Sequence, residues 1–111
     1  MQIGLTSIVI PIFNQLEYTR RCIDSLSQTF DPACPCEVVI FDNGSTDGSA
    51  DFLKAAAAKT PFPLRVVSSD RNLGFSPACN AAVSEAQGEF VCLLNNDTEP
   101  QPGWLRHLFA A

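Results

Sequence analysis

The sequence predicts an α/β fold, a mostly parallel open sheet with helices on both faces, and three observations carry that expectation. Four short runs are rich in Val, Ile, Leu and Phe, and each is nearly continuous instead of alternating, as strands covered on both sides require. The stretches between them place apolar residues at helical spacing. The residues closing the four runs, Phe13, Asp42, Asp70 and Asp97, recur about every 28 positions, roughly one strand-helix step. Strand and helix therefore alternate four times, the order of a parallel sheet with crossover helices.

The first strand is expected over Ser7 to Phe13 and the first helix over Leu16 to Thr29, with Tyr18, Cys22 and Leu26 on one stripe and Thr19, Ile23 and Phe30 beside it. Glu37 to Phe41 forms the second strand. Ser49 to Lys59 forms the second helix, capped by Thr46 or Asp47, turned inward through Phe52, Leu53, Ala56 and Ala57, and closed by Pro61 and Pro63. The third strand covers Leu64 to Val67. The third helix covers Ser76 to Gln87, with Pro77 in its first turn and Gly88 as a left-handed C-terminal residue. Phe90 to Leu94 is the fourth strand. A fourth helix starts near Gly103, and its Trp104, Leu105 and Leu108 form an apolar stripe with nothing to cover it.

Composition narrows the function. With 111 residues the chain allows one domain or part of one, and 46% hydrophobic against 17% charged residues excludes disorder. Seven basic residues, scattered among twelve acidic ones, give a net charge of −5 and no footprint of nucleic-acid binding. The apolar run Ile8 to Phe13 is too short to span a bilayer and no basic region precedes it, so the expected compartment is the cytoplasm. The odd count of five cysteines suits reduced thiols, and Cys34-Pro35-Cys36 with His107 lacks the spacing of a zinc site.

In open α/β sheets ligands bind beyond the carboxyl ends of the strands. That rim carries Phe13-Asn14, Asp42-Asn43-Gly44-Ser45, Asp70-Arg71-Asn72 and Asn95-Asn96-Asp97. Aspartates gathered on one edge repel one another, and a divalent cation relieves the repulsion; oxygen donors without His or Cys favour Mg²⁺ or Mn²⁺. Alternative roles stand beside each ligand role. Phe13 stacks on a base or closes its strand's core, Asn14 serves a turn, Asn96 and Asp97 hold a ligand or cap the turn before Pro100, and Arg71 meets a phosphate or only solvent. Asn80, a poor helix former within a helix, is expected to bond to a neighbouring loop or to ligand. Neither G-x-x-x-x-G-K-[ST] nor G-x-G-x-x-G is present, which argues against an NTPase or a dinucleotide oxidoreductase.

Taken together, Ser7-Ile8-Val9-Ile10-Pro11-Ile12-Phe13-Asn14, Asp42-Asn43-Gly44-Ser45-Thr46-Asp47-Gly48-Ser49, Asn72-Leu73-Gly74-Phe75 with Asn80, and Gly88-Glu89-Phe90 leading to Leu93-Leu94-Asn95-Asn96-Asp97-Thr98 closely resemble the family 2 glycosyltransferases. The resemblance implies the Rossmann-like nucleotide-binding half of a GT-A fold, a nucleoside-diphosphate sugar donor, Mg²⁺ or Mn²⁺, and sugar transfer with inversion. By the same resemblance Phe13 stacks near the base, Asp42 binds base or ribose, and Asp97 stands for the last Asp of the D-x-D motif, binding metal and diphosphate. Asn14, Asn43, Arg71, Asn72, Asn80, Asn95 and Asn96 complete the donor-binding candidates.

Asn95 departs from D-x-D, which implies weaker metal binding before substrate arrives; relatives with Asn-Asn-Asp look like rhamnosyl or other cell-surface polysaccharide transferases. Residues 1–111 read as a single donor-binding domain of a longer enzyme, with the acceptor half and the catalytic base beyond residue 111. The full-length enzyme would then sit in the cytoplasm, peripherally at the inner membrane face, acting on a glycan or lipid-linked saccharide. The alternative expectation is a non-catalytic nucleotide-binding or interaction module, a homodimer through the Trp104, Leu105 and Leu108 stripe.

Overall fold

A computed structural model describes residues 2–106, and in it the chain runs β1 (Gln2–Ile12), α1 (Leu16–Gln28), β2 (Cys36–Asp42), α2 (Ser49–Ala57), β3 (Leu64–Ser68), α3 (Phe75–Ser84) and β4 (Gly88–Leu93). The four strands form one sheet in the order β3-β2-β1-β4, every pairing parallel. Residues 104–106 begin a further helical turn, and the rest of the expected fourth helix, with Leu108 and His107, lies outside the described residues.

Both faces of the sheet are covered, unequally. On one, Ile8, Ile10 and Ile12 of β1, Val38 and Ile40 of β2 and Leu64 of β3 pack with Cys22, Ile23 and Leu26 of α1 and Leu53 of α2. Burying each large aliphatic side chain stabilises the fold by roughly 1.5–3 kcal/mol. On the other, Val9, Val39 and Phe41 meet Ala78 and Ala82 of α3, small residues that let the helix lie close to the strands. All seven residues of β2 are buried, the outcome its uninterrupted hydrophobicity demands.

Several expectations need correction. β4 is an edge strand, and Val91 and Leu93 remain 49% exposed, because α3 lies over β1 and β2 and leaves β4 uncovered. Of the Trp104 stripe, Leu105 is buried in the main core and Trp104 packs against it, whereas β4 keeps apolar side chains in solvent. Tyr18 and Ala57 point outward instead of inward. The residue preceding α2 is Gly48, at φ 92°, and not Thr46 or Asp47, although the Asp47 carboxylate accepts the Ser49 N–H from outside the helix. Gly88 does not end α3, which stops at Ser84; it opens β4, where a Cβ would lie 2.6 Å from the Leu5 carbonyl oxygen. All five cysteines are free thiols. Among the described residues no helix is long and apolar enough to cross a membrane.

Candidate active site

The carboxyl ends of β1, β2 and β3 carry three loops tied together by side-chain amides. The β1–α1 loop holds Asn14 and Gln15 at φ 54° and 58°, left-handed conformations that cost an L residue roughly 1–2 kcal/mol each. The neighbouring loop offsets this cost. The Asn14 N–H donates to Ser45 Oγ at 2.7 Å, Asn14 Oδ1 accepts the Thr46 N–H at 2.7 Å, and the carboxylate of Asp47 accepts the N–H of Leu16 at 3.0 Å, capping α1 from the β2–α2 loop.

Asn43 joins the β2–α2 and β3–α3 loops. Buried to 5% exposure, it accepts the Leu73 N–H on Oδ1 at 2.7 Å and donates from Nδ2 to the Gly74 carbonyl at 3.1 Å, while its own N–H reaches the Ile12 carbonyl. Gly44, at φ 82°, lies so close to Arg71 that a Cβ would meet the Arg71 carbonyl carbon at 2.8 Å. Asn72 Oδ1 accepts the Gly74 N–H and shapes the turn into α3. Of the donor-binding candidates, Asn43 thus uses both ends of its side-chain amide on loop backbone, whereas Asn14 and Asn72 use Oδ1.

What these loops present is a second set. Asp42, 3% exposed, accepts the Ser45 N–H on Oδ1 at 2.9 Å, and its other oxygen has no hydrogen bond among the described residues. Phe13, one residue past β1, is 46% exposed, so it does not close the strand's core. It lines a cleft of about 260 Å³ with Pro11, Ile12, Asn43, Asn72, Gly74 and Phe75. Phe75 lines the cleft without being among the candidates above, although it closes the Asn72-Leu73-Gly74-Phe75 motif. Arg71 is exposed, with no ion pair among the described residues. Asn80 lies exposed on α3 and makes no side-chain hydrogen bond to a neighbouring loop among the described residues, which leaves the ligand half of its expected role untested. A larger groove of about 410 Å³ between α2 and β3, flanked by Asp51, Lys54 and Val66, contains none of the rim candidates.

The fourth rim segment leans over α1. Asn96 Nδ2 donates to Thr19 Oγ1 at 3.2 Å, and the Thr98 N–H closes a turn on the Asn95 carbonyl. Burial, reinforced by the negative charges of Asp97 and Glu99, pushes the Cys22 thiol up to about 12, which places both carboxylates near this helix. Asp97 is exposed and has no protein partner among the described residues. No three His, Cys, Asp or Glu side chains gather there or elsewhere among the described residues. Asp97 with Asn95 is thus a one-carboxylate set, which fits a hard divalent cation that completes its shell with substrate phosphates and water.

A family model for glycosyl transferase family 2 matches residues 7–111. The chain belongs to that family. It is 33% identical over 105 residues to the undecaprenyl-phosphate 4-deoxy-4-formamido-L-arabinose transferase of Pseudomonas syringae, covering 90% of this chain and 30% of the relative. Among solved structures, TarS of S. aureus in complex with UDP-GlcNAc superposes with a TM-score of 0.84 at 27% identity, over 95% of this chain and 30% of that one. A mannosyltransferase of Pyrobaculum calidifontis in complex with GDP-Man and Mn²⁺ superposes with a TM-score of 0.76 at 27% identity, over 83% of this chain and 27% of that one. These neighbours are GT-A glycosyltransferases, so the fold class read from the sequence holds. The chain spans about a third or less of the length of the curated relatives it matches.

Proposed function

We propose that this chain is the donor-binding part of a metal-assisted, inverting glycosyltransferase that moves a sugar from a nucleoside diphosphate to an acceptor hydroxyl. The observation that carries the reading is the rim itself: a half-exposed aromatic ring, a nearly buried carboxylate with one uncommitted oxygen, and an exposed Asn95–Asp97 pair at the carboxyl ends of β1, β2 and β4. The solved neighbours holding UDP-GlcNAc and GDP-Man support the ligand class.

In this reading the base stacks on Phe13 and is accepted by the free oxygen of Asp42, which costs little reorganisation because Ser45 already orients the carboxylate. Arg71 meets the diphosphate from the β3–α3 loop, while Asn14, Asn43 and Asn72 bind no donor but hold the loops in place. Asn96 stays on Thr19. Asp97, with Asn95, would hold Mg²⁺ or Mn²⁺, whose contribution is to neutralise charge on the departing diphosphate. The acceptor oxygen bonds to the anomeric carbon as the bond to the diphosphate breaks; that bond's electron pair leaves with the diphosphate, and the hydroxyl proton passes to a general base supplied by the acceptor half of the enzyme. A sugar of the rhamnosyl type, a glycan or lipid-linked acceptor and a cytoplasmic site at the inner membrane face complete the proposal; the undecaprenyl-phosphate relative supports the lipid-linked acceptor.

Isothermal titration with UDP, GDP and dTDP, each with and without Mn²⁺, tests it. At least one nucleotide binds, more tightly with Mn²⁺, and Asp97→Asn removes the difference. No heat from any of the three under either condition would end the reading.

A further inference from the structure

β1 and β4 are paired in two registers at once. Gln2 stands opposite Gly88, but Thr6 stands opposite Phe90 and the pairing continues through Val9 and Leu93, so β1 contains two residues more than β4 between these points. Gly4, at φ 81°, lies within the irregularity. The two registers differ by two residues. A one-residue slip would turn every β4 side chain to the wrong face, but a two-residue slip leaves each on its own face, so apolar patterning cannot choose between them. Packing is a weak judge here as well, since Val91 and Leu93 are half-exposed.

A buried polar cluster sits where the choice is made. Glu37 of β2, 4% exposed, accepts the Ser7 hydroxyl at 2.5 Å and the Gln87 N–H at 2.7 Å on Oε2, and on Oε1 it accepts Arg65 Nη2 at 2.8 Å. With its hydroxyl hydrogen directed at Glu37, Ser7 Oγ accepts the Gly88 N–H at 2.8 Å. Gly88 fits so closely that a Cβ would lie within 2.9 Å of Leu5 O, Ser7 Oγ and Ser7 N. The first two N–H groups leading into β4 are therefore both held by this pair.

We propose that Glu37, acting through Ser7, is a positioning residue that selects the register of β4 and so the height of Asn95 and Asp97 on the rim. Were the Gln2–Gly88 register to continue, Cys92 would stand opposite Thr6 and Leu93 opposite Ser7, and the whole Asn95–Asp97 segment would recede from the rim by about 6.6 Å, two residues of strand rise. Its consequence for ligand binding rests on the donor-site reading above; the register itself does not.

The test is nuclear magnetic resonance on the isotope-labelled chain with Glu37→Ala, Ser7→Ala and Glu37→Gln. Glu37→Ala and Ser7→Ala are expected to weaken the Ile8–Cys92 and Val9–Leu93 cross-strand contacts, to show Thr6–Cys92 and Ser7–Leu93 contacts, and to speed exchange of the Leu94 amide, which bonds to the Val9 carbonyl. The β1–β2 contacts Ile8–Val38 and Ile10–Ile40 remain. Glu37→Gln, which keeps an acceptor oxygen, retains the original set. Should Glu37→Ala fail to fold, Ser7→Ala decides, because it removes one hydroxyl. Folded variants that keep the native β4 contacts and the protected Leu94 amide, or that loosen β2 and β4 alike, overturn the proposal. A parallel titration separates the two readings: Mn²⁺-dependent UDP affinity falls about 10- to 100-fold in Ser7→Ala, whereas a wild-type chain that binds no UDP counts against the donor site and leaves the register result standing.

Discussion

Asn43 shows how a single side chain at the rim can tie two loops together. Its amide uses both an acceptor and a donor on the loop before α3, and Asn43→Ala leaves the Leu73 N–H and the Gly74 carbonyl without that partner. The expected loss is about 1–3 kcal/mol in urea unfolding, with weaker nucleotide binding because Phe75 and Asn72 lose their fixed place beside Phe13. Gly44→Ala is expected to be at least as harmful, since its φ of 82° and the 2.8 Å approach to Arg71 leave no room for a Cβ.

Asp47 makes a prediction about pH. A hydrogen bond from the Ser49 hydroxyl, with the N–H groups of Leu16 and Ser49, holds its carboxyl below the ordinary 3.8. A carboxylate whose folded value is depressed contributes stability that is complete above its unfolded value and disappears as pH falls through the folded one. The urea midpoint is therefore expected to drop below about pH 4, and Asp47→Asn to flatten that drop while lowering the midpoint at neutral pH. A wild-type and variant pair with parallel pH profiles would contradict it.

At the scale of elements, α2 and β4 are opposites. α2 is a nine-residue helix anchored by Leu53, which is fully buried, and by the buried Ser49. Leu53→Ala is expected to cost about 2–5 kcal/mol, read as a shift of the denaturation midpoint with the slope unchanged. β4 has one neighbour, and Val91 and Leu93 face outward from the α3 side of the sheet with neither lysine nor proline to guard the edge. Such an edge templates pairing with other chains. Val91→Lys is expected to reduce light scattering by the concentrated protein without lowering its thermal midpoint, because the side chain it replaces is already half in water.

At the scale of the molecule, the excess of acidic residues leaves Arg71 as the basic group on the rim, so under the proposed function an anionic donor would be held mainly by oriented polar groups and a cation, not by the overall field. The strands, the alternation of strand and helix along the chain and the residues at the strand ends were legible in the sequence because they follow from local periodicity and from residue types that end strands; the sheet order β3-β2-β1-β4 was not. The division of labour on that rim was not. Asn14 and Thr46, Asn43 and Leu73, or Glu37 and Gln87 lie roughly 30 to 50 positions apart, and no local pattern states that one amide will meet another's backbone. Gly88 suits the end of a helix by its type; only the closeness of Leu5 and Ser7 shows why it must start a strand.

Alternating runs of strand and helix, with carboxylates and amides at the strand ends, were enough to establish an α/β sheet carrying a polar ledge, since those features depend on neighbours along the chain. Which side chains on the ledge hydrogen-bond to neighbouring loops, which stay exposed, and where β4 pairs with β1 depend on contacts across the fold. A two-residue slip of β4 preserves every inside and outside position, so the hydrophobic pattern is blind to it, and hydrogen bonds between distant residues make the choice.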